Sequence, residues 1–233
     1  MSGIDLPSGK IHVWWASLEV SDSRIEELRQ TLSVDERHRA ERFRIELAAR
    51  RFIAARAALR SVLGRLTGIE PAEVAFAYGE NGKPRLADGG PCFNASDSGD
   101  FVAIAVTSQE VGIDIEIARS LRRRVGLARR ICTEGELEAL ARFPEEDRDT
   151  ELLRLWTCKE AALKAVGTGL PGGTKNVEVT FSDDGPPRLS GLHGKNKEWT
   201  LLQPDLTPRL VCSVVIKGSH WRVVDKRFSV HAS

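Results

Sequence analysis

The stretch that decides the fold is Trp156-Thr157-Cys158-Lys159-Glu160-Ala161-Ala162-Leu163-Lys164. Its alanines and leucine are good helix formers, and no proline or glycine interrupts it, so it predicts a helix from about Asp149 to Val166. Trp156, Glu160 and Lys164 follow each other at intervals of four residues and therefore share one face of that helix. A Glu and a Lys at this spacing commonly form a solvated surface pair. The large Trp156 on the same face favours partial burial instead.

A strand with two carboxylates lies upstream, where residues 111–117 alternate strictly between β-branched and other side chains. Asp114 and Glu116 fall on the same face, about 7 Å apart at a strand rise of about 3.3 Å per residue. The ordinary interpretation is the solvent-facing side of a half-buried strand. The alternative is a Mg²⁺ site, because this cation prefers carboxylate oxygens, and Glu160 of the helix would then supply a third carboxylate.

A long basic run precedes these segments. Ser33 and Glu36 form a capping-box pattern that predicts the start of a helical stretch to about Leu66, with a break near Ala48. The run carries nine arginines. Any single one of them is ordinarily a solvated side chain. As a group they predict a phosphate-binding surface, because guanidinium groups match phosphate oxygens.

The remaining segments give weaker signals. Residues 79–84 predict a turn that presents Lys83, and residues 92–100 predict a small polar loop, with either ordinary turn chemistry or hydrogen bonds to a ligand phosphate. The basic stretch 120–130 predicts a solvated helix start or a docking surface for an acidic partner. Thr133 and Glu136 match a second capping box. Four strands are predicted in the last part of the chain, at residues 177–181, 199–202, 210–216 and 221–224.

Composition excludes several classes of protein. The 233 residues carry a formal net charge of +1, which argues against bulk binding of nucleic acid. No apolar run reaches membrane-spanning length, and the first residues lack the features of a signal peptide. The four cysteines are scattered, which predicts reduced thiols rather than a zinc site. We therefore expect a cytoplasmic protein, and the length suits a monomer.

These segments together resemble the Sfp-type 4′-phosphopantetheinyl transferases. Residues 112–116, Gly-Ile-Asp-Ile-Glu, are similar to the metal strand of that family, and residues 156–164 are similar to its W-x-x-K-E-A-x-x-K helix. Gly82-Lys83-Pro84 and Phe93-Asn94-Ala95-Ser96 resemble its G-K-P and F-N-x-S elements. All four occur in the family order between residues 82 and 164.

The resemblance implies an α+β fold of two similar halves, related by a pseudo-two-fold axis, with the active site between them. We expect the first half to span residues 1–108, with the basic helix and the phosphate-binding loops. The second half would span residues 109–233, with the metal strand, the catalytic helix and the C-terminal strands.

The resemblance also implies a reaction. Coenzyme A would donate its 4′-phosphopantetheine arm to a serine of an apo acyl carrier protein or peptidyl carrier domain, and adenosine 3′,5′-bisphosphate would be released. Asp114, Glu116 and Glu160 are the expected Mg²⁺ ligands, and Glu160 and Lys164 the expected catalytic residues. The residues expected to contact coenzyme A are Arg39, Arg51, Arg56, Lys83, Asn94, Ser96, Asp97, Asp114 and Lys164.

One position departs from the family pattern. Members often carry His after the serine of F-N-x-S, and this sequence has Asp97. A carboxylate repels phosphate unless it pairs with an arginine or contacts ribose or adenine, so we expect altered coenzyme A binding. Two other functions remain possible: a non-catalytic protein on the same fold that binds carrier protein or coenzyme A, and a different Mg²⁺-dependent phosphotransferase or nuclease.

Overall fold

The computed structural model describes residues 8–167, 173–182, 185–192 and 199–230. The first half of the chain forms β1 (Lys10–Ser17), α1 (Asp22–Gln30), α2 (Val34–Glu41), α3 (Glu46–Thr67), β2 (Phe76–Tyr78), β3 (Pro84–Leu86), β4 (Cys92–Ser98) and β5 (Phe101–Thr107). The second half repeats this order with β6 (Val111–Ile117), α4 (Arg124–Ile131), α5 (Glu134–Arg142), α6 (Arg148–Val166), β7 (Val177–Ser182), β8 (Gly185–Leu192), β9 (Trp199–Leu202) and β10 (Leu210–Lys217). Strand β11 (Arg222–Arg227) follows.

Two sheets form the centre of the molecule. In the first half β5 pairs antiparallel with both β1 and β4, and in the second half β10 pairs antiparallel with both β6 and β9. The inner faces of the two sheets meet in a core that includes Ile11, Val13, Ile113 and Val214. Helix α3 packs in the hydrophobic core on the outer side of the first sheet, and α6 packs in the corresponding core of the second half. The predicted α+β class is therefore confirmed.

The two halves share more than the order of their elements. Ser33 and Glu36 form the capping box of α2, and Thr133 and Glu136, each 100 positions later, form the capping box of α5. The long helices α3 and α6 both end at a left-handed glycine, Gly68 with φ 75° and Gly167 with φ 78°. The same local solutions at both places show that one structural unit occurs twice.

A buried ion pair marks each unit. In the first, the capping-box carboxylate of Glu36 accepts a hydrogen bond of 2.6 Å from Arg60 of α3, which is 2% exposed. In the second, Glu136 forms a 2.7 Å ion pair with Lys159 of α6, which is fully buried. Because removing one partner leaves a buried charge unpaired, both cations are structural residues that fix the long helices.

The C-terminal strand β11 crosses between the units. It lies beyond the predicted boundary at residue 108, but it pairs in parallel with β1 and extends the first sheet to the order β11-β1-β5-β4. The division of the chain into 1–108 and 109–233 stays a prediction. None of the described helices combines the length and the apolar composition that a membrane span requires.

Several local expectations need correction. Residues 92–98 form strand β4 rather than a polar loop, because their alternate polar side chains contact another strand instead of solvent. The helix break lies between α2 and α3, at residues 42–45, a few residues before Ala48. The sequence did not predict β8. The loop predicted after α6 falls mostly on residues 168–172, outside the described residues.

Candidate active site

Helix α6 lies directly on strand β6, and a glycine makes this contact possible. A methyl group on Gly112 would lie 2.0 Å from the carbonyl oxygen of Ala161 and 2.4 Å from the amide nitrogen of Ala165. Any larger residue would therefore collide with the helix backbone. Gly112 thus lets α6 lie close enough for Glu160 and Lys164 to reach the carboxylates of β6.

Asp114 and Lys164 form the centre of the site. The Lys164 Nζ atom lies 2.7 Å from Asp114 Oδ1 and donates to Ser96 Oγ at 3.0 Å. Ser96 in turn donates to Asp114 Oδ1 at 2.8 Å. Burial raises the pKa of Asp114 above its usual range, although the charge and hydrogen bond of Lys164 and the hydrogen bond from Ser96 oppose this. Lys164 therefore stabilises the ionised form of the buried Asp114 carboxylate.

Glu116 is held two residues further along the strand. Its Oε2 atom accepts hydrogen bonds of 2.9 Å from Ser98 Oγ and 2.9 Å from Arg119. Glu116 is more exposed than Asp114, at 22% of its side chain against 8%. The two carboxylates therefore differ in their environment, as the first is buried with a lysine and the second lies near the surface with an arginine.

Glu160 is the third carboxylate and has a buried oxygen without a partner. Its Oε1 atom accepts no hydrogen bond from the described residues. Burial raises the pKa of Glu160, the charge of Asp114 raises it further, and Lys164 and Arg130 oppose the shift. A carboxylate with an elevated pKa and a free oxygen is suited to accept a proton or to bind a cation.

The side chains of strand β4, rather than its backbone, form the hydrogen bonds along the open edge of β6. The backbone N–H groups of Ile113, Ile115 and Ile117 donate to Asn94 Oδ1 at 3.0 Å, Ser96 Oγ at 3.4 Å and Ser98 Oγ at 3.2 Å, respectively. Unpaired edge groups are thereby satisfied and the two sheets are joined. Asn94 and Ser96, both expected to contact coenzyme A, have this structural role here.

The predicted arginines meet in one cavity of about 490 Å³ on the first half. Arg39, Arg51, Arg56, Asn94 and Asp97 all line it. The structure thus brings together five of the residues expected to contact coenzyme A, although they come from α2, α3 and β4. A concave surface with three guanidinium groups is suited to bind an anion.

Two of these arginines already have carboxylate partners. Arg51 pairs with Asp100 at 2.7 Å, and Arg56 pairs with Glu36. Arg39 is exposed, and its guanidinium lies 5.0 Å from the centre of the Phe52 ring. Arg39 forms no ion pair with the described residues. A phosphate that enters the cavity could therefore pair with Arg39 without displacing a carboxylate.

Asp97 lies on the opposite face of β4 from Ser96 and is exposed toward the cavity. It forms no ion pair with the described residues, so the arginine pairing considered for it is not found. Its carboxylate adds negative charge to the place where the family resemblance puts a histidine.

Lys83 is set apart from the arginine cavity. Its Nζ atom pairs with Glu110 at 2.6 Å and donates to the carbonyl oxygen of Ala165 at 2.9 Å. It therefore connects the turn between β2 and β3 to the end of α6. Pro84, the first residue of β3, lines the arginine cavity, but Lys83 does not.

The three predicted metal ligands fit Mg²⁺ by their chemistry. All are carboxylates, and Glu160 presents a buried oxygen without a partner. Within the described residues, however, no three Asp, Glu, His or Cys side chains are gathered in a ligand arrangement, and Lys164 holds Asp114. Metal binding by Asp114, Glu116 and Glu160 therefore stays a prediction, which requires Asp114 to be shared between the cation and Lys164.

Two residues of this site escaped the sequence reasoning. Ser98 contacts Glu116, and the fully buried Lys159 fixes α6 by donating to the carbonyl oxygens of Thr174 and Val177. For Ser98 a signal existed: polar residues 94, 96 and 98 have the same period of two as residues 112, 114 and 116. No local signal marked Lys159 as a buried residue.

Comparison with known proteins decides the family. The model of the 4′-phosphopantetheinyl transferase superfamily matches residues 110–215, and that of the N-terminal part of 4′-phosphopantetheinyl transferase matches residues 16–109. The 4′-phosphopantetheinyl transferase HetI of Nostoc sp. (strain PCC 7120) is 35% identical over 94% of this chain and 92% of its own length. This chain belongs to the 4′-phosphopantetheinyl transferase superfamily.

Other members of the superfamily are similar over shorter parts. The 4′-phosphopantetheinyl transferase psf-1 of Bacillus pumilus is 32% identical over 71% of both chains, and Sfp of Bacillus subtilis (strain 168) is 28% identical over 76% of this chain and 78% of its own. The structure of Thermotoga maritima holo-[acyl-carrier-protein] synthase covers 46% of this chain and 62% of its own, with 27% identity and a TM-score of 0.37. The Sfp-type resemblance and the classification of the chain as an enzyme are confirmed by the sequence relatives.

Proposed function

We propose that this superfamily member transfers the 4′-phosphopantetheine arm of coenzyme A to a serine of an apo acyl or peptidyl carrier protein. The observation that supports this best is the position of strand β4. Its Asp97 side lines the arginine cavity, and the next residue inward, Ser96, contacts Asp114 and Lys164. A nucleotide with its phosphates in the cavity would therefore lie one strand away from the carboxylate cluster.

The proposed reaction is a displacement at phosphorus. The carrier serine oxygen attacks the phosphorus that bears the pantetheine arm, and the bond from that phosphorus to the bridging oxygen breaks. Adenosine 3′,5′-bisphosphate leaves with the electron pair. The serine proton would pass to Glu160, whose Oε1 atom accepts no hydrogen bond from the described residues.

The other residues act by position and charge. Lys164 would stabilise negative charge on the phosphate oxygens, since phosphoryl transfer is catalysed mainly by positioning and charge neutralisation. Ser96 orients Asp114 and Lys164 by hydrogen bonds to both. Arg39, Arg51 and Arg56 would hold the nucleotide phosphates. Mg²⁺ held by Asp114, Glu116 and Glu160 would neutralise pyrophosphate charge when bound.

Mass spectrometry tests this function directly. Apo acyl carrier protein and apo peptidyl carrier domain are each incubated with the protein, coenzyme A and Mg²⁺. We expect a gain of about 340 Da on at least one of them, the mass of the phosphopantetheinyl group, together with release of adenosine 3′,5′-bisphosphate. Excess chelator should abolish both. Full transfer in excess chelator would contradict the predicted metal dependence without removing the transferase assignment.

The alternative is a non-catalytic protein that binds carrier protein or coenzyme A on the same fold. All four residues expected for catalysis and metal binding are retained, which favours the enzyme: Asp114, Glu116, Glu160 and Lys164. Binding of coenzyme A and of carrier without any bisphosphate release would support the alternative.

A cytoplasmic location, a monomeric state and the absence of nucleic-acid binding remain predictions from sequence.

Replacement of Asp97 tests the role of the arginine cavity. We expect Asp97→His to lower the KM for coenzyme A about three- to tenfold, because a carboxylate that repels phosphate is exchanged for a group that donates a hydrogen bond to it. Asp97→Asn separates loss of charge from gain of the imidazole, and should give part of the effect. A KM that is unchanged or higher in both variants would place the phosphates elsewhere.

Charge reversal on the second half tests carrier docking. Arg122 and Arg123 are exposed just before α4, within the basic stretch 120–130. We expect Arg122→Glu with Arg123→Glu to raise the KM for an acidic carrier about tenfold at low ionic strength, and less at high salt, while the KM for coenzyme A stays constant. The control reverses two other exposed arginines, Arg188 and Arg222. Equal effects of both double variants would argue against a specific docking surface.

A further inference from the structure

Strand β4 presents a hydroxyl group to each carboxylate of strand β6. Ser96 donates to Asp114 and Ser98 donates to Glu116, at 2.8 and 2.9 Å. The pairing follows from two strands that lie side by side with the same period of two.

The direction of the Ser98 hydroxyl hydrogen is fixed by its surroundings. Its Oγ atom accepts a hydrogen bond of 3.2 Å from the backbone N–H of Ile117. The Oγ–H group is then free to donate, and Glu116 Oε2 lies at 2.9 Å. Glu116 Oε2 accepts this hydrogen bond, which favours one rotamer of Glu116.

The Ser98 bond also selects which oxygen of Glu116 is available. Oε2 accepts from both Ser98 and Arg119, and Arg119 is itself held by a 3.1 Å bond to the carbonyl oxygen of Ile117. Oε1 accepts no hydrogen bond from the described part of the chain. One oxygen of Glu116 is thus occupied by the protein, and the other is left for a ligand.

We propose that Ser98 is a positioning residue of the metal site, which holds Glu116 so that its Oε1 atom is free to bind the divalent cation. The proposal rests on the proposed function, because it takes Glu116 as a metal ligand. Partners that orient a metal-binding carboxylate typically change metal affinity by about 10- to 100-fold when they are removed. The contacts of the Ser98 hydroxyl group are with Glu116 and with the backbone of Ile117, so it would act through Glu116.

Binding of Mn²⁺, followed by electron paramagnetic resonance with coenzyme A present and carrier absent, tests the proposal without turnover. We expect Ser98→Ala to weaken Mn²⁺ binding about tenfold or more. Ser108→Ala, the same change at an exposed serine after β5, should bind like the wild type. Thermal unfolding of each variant is measured in parallel, so that binding is compared at a temperature where all are folded.

The outcomes separate the proposal from the function on which it rests. If Asp114→Asn and Glu116→Gln weaken Mn²⁺ binding and Ser98→Ala does not, Ser98 has no positioning role and the metal site stands. If none of the three variants changes Mn²⁺ affinity, the metal site itself is wrong and the proposal falls with it. A lower melting temperature in Ser98→Ala with unchanged affinity would show a purely structural role and would also overturn the proposal.

Discussion

Glu160→Gln is expected to reduce kcat by at least about 10³-fold while the protein stays folded. The variant removes the proposed proton acceptor and one proposed metal ligand together, and general-base catalysis by itself contributes about 10²- to 10⁴-fold. The substitution keeps the size of the side chain, so the packing of α6 on β6 is preserved. Release of adenosine 3′,5′-bisphosphate and circular dichroism are the two measurements.

The stability of this variant gives an independent check. Folding raises the pKa of Glu160, so ionisation of this carboxylate lowers the stability of the metal-free protein. The loss of stability begins as the pH rises through the ordinary pKa of glutamate and is complete above the pKa of Glu160 in the folded state. The glutamine variant should therefore be at least as stable as the wild type at pH 7, and the difference should vanish below the ordinary pKa of glutamate. Glu138→Gln, at an exposed position on α5, is the control for both readouts. Activity within a few fold of the wild type would remove Glu160 from both roles.

Gly112→Ala is expected to cause the largest loss of stability of the variants considered. The added methyl group would lie 2.0 Å from the Ala161 oxygen and 2.4 Å from the Ala165 nitrogen, and both are backbone atoms that cannot move aside by a change of rotamer. Helix α6 would have to shift by about 1 Å, and overpacking of this kind costs about 1–3 kcal/mol or more. The melting temperature should fall by about 5–10 °C.

The loss of activity in this variant should exceed the loss that a smaller folded fraction alone would cause. A shift of α6 moves Glu160 and Lys164 away from Asp114, and small displacements of catalytic groups can cost about 10²-fold in rate. Gly126→Ala is the matched control, because a methyl group there meets no atom within 4 Å and the position lies in helix α4. Its effect should be neutral or slightly stabilising. A melting temperature within about 2 °C of the wild type for Gly112→Ala would show that α6 does not pack on this glycine.

The sequence predicted those elements whose signals are local. Both capping boxes, the alternation of strand β6 and the uninterrupted run of α6 were recognised, because each depends on residues only two to four positions apart. Strand β4 is predicted as a loop, because so many polar residues are typical of one. The period of two in residues 94, 96 and 98 is explained only by their contacts with the edge of β6, which lies in a distant segment of the chain. The repeat of the whole unit after about 100 residues was expected from the family resemblance and not from the pattern of the chain itself, although its two capping boxes lie 100 positions apart.

The site shows the same division. The chain by itself determined which residues are the candidates for the chemistry: a helix with Glu160 and Lys164 on one face, a strand with Asp114 and Glu116 on one face, and arginines concentrated before them. Only the tertiary structure decided which of them meet. It placed Ser96 on Asp114 rather than in the arginine cavity, joined Lys83 to Glu110, and left Asp97 facing that cavity. Residue types and periodicities are local properties of the sequence, whereas the partner of a side chain depends on how close two backbones can approach, which here depends on Gly112.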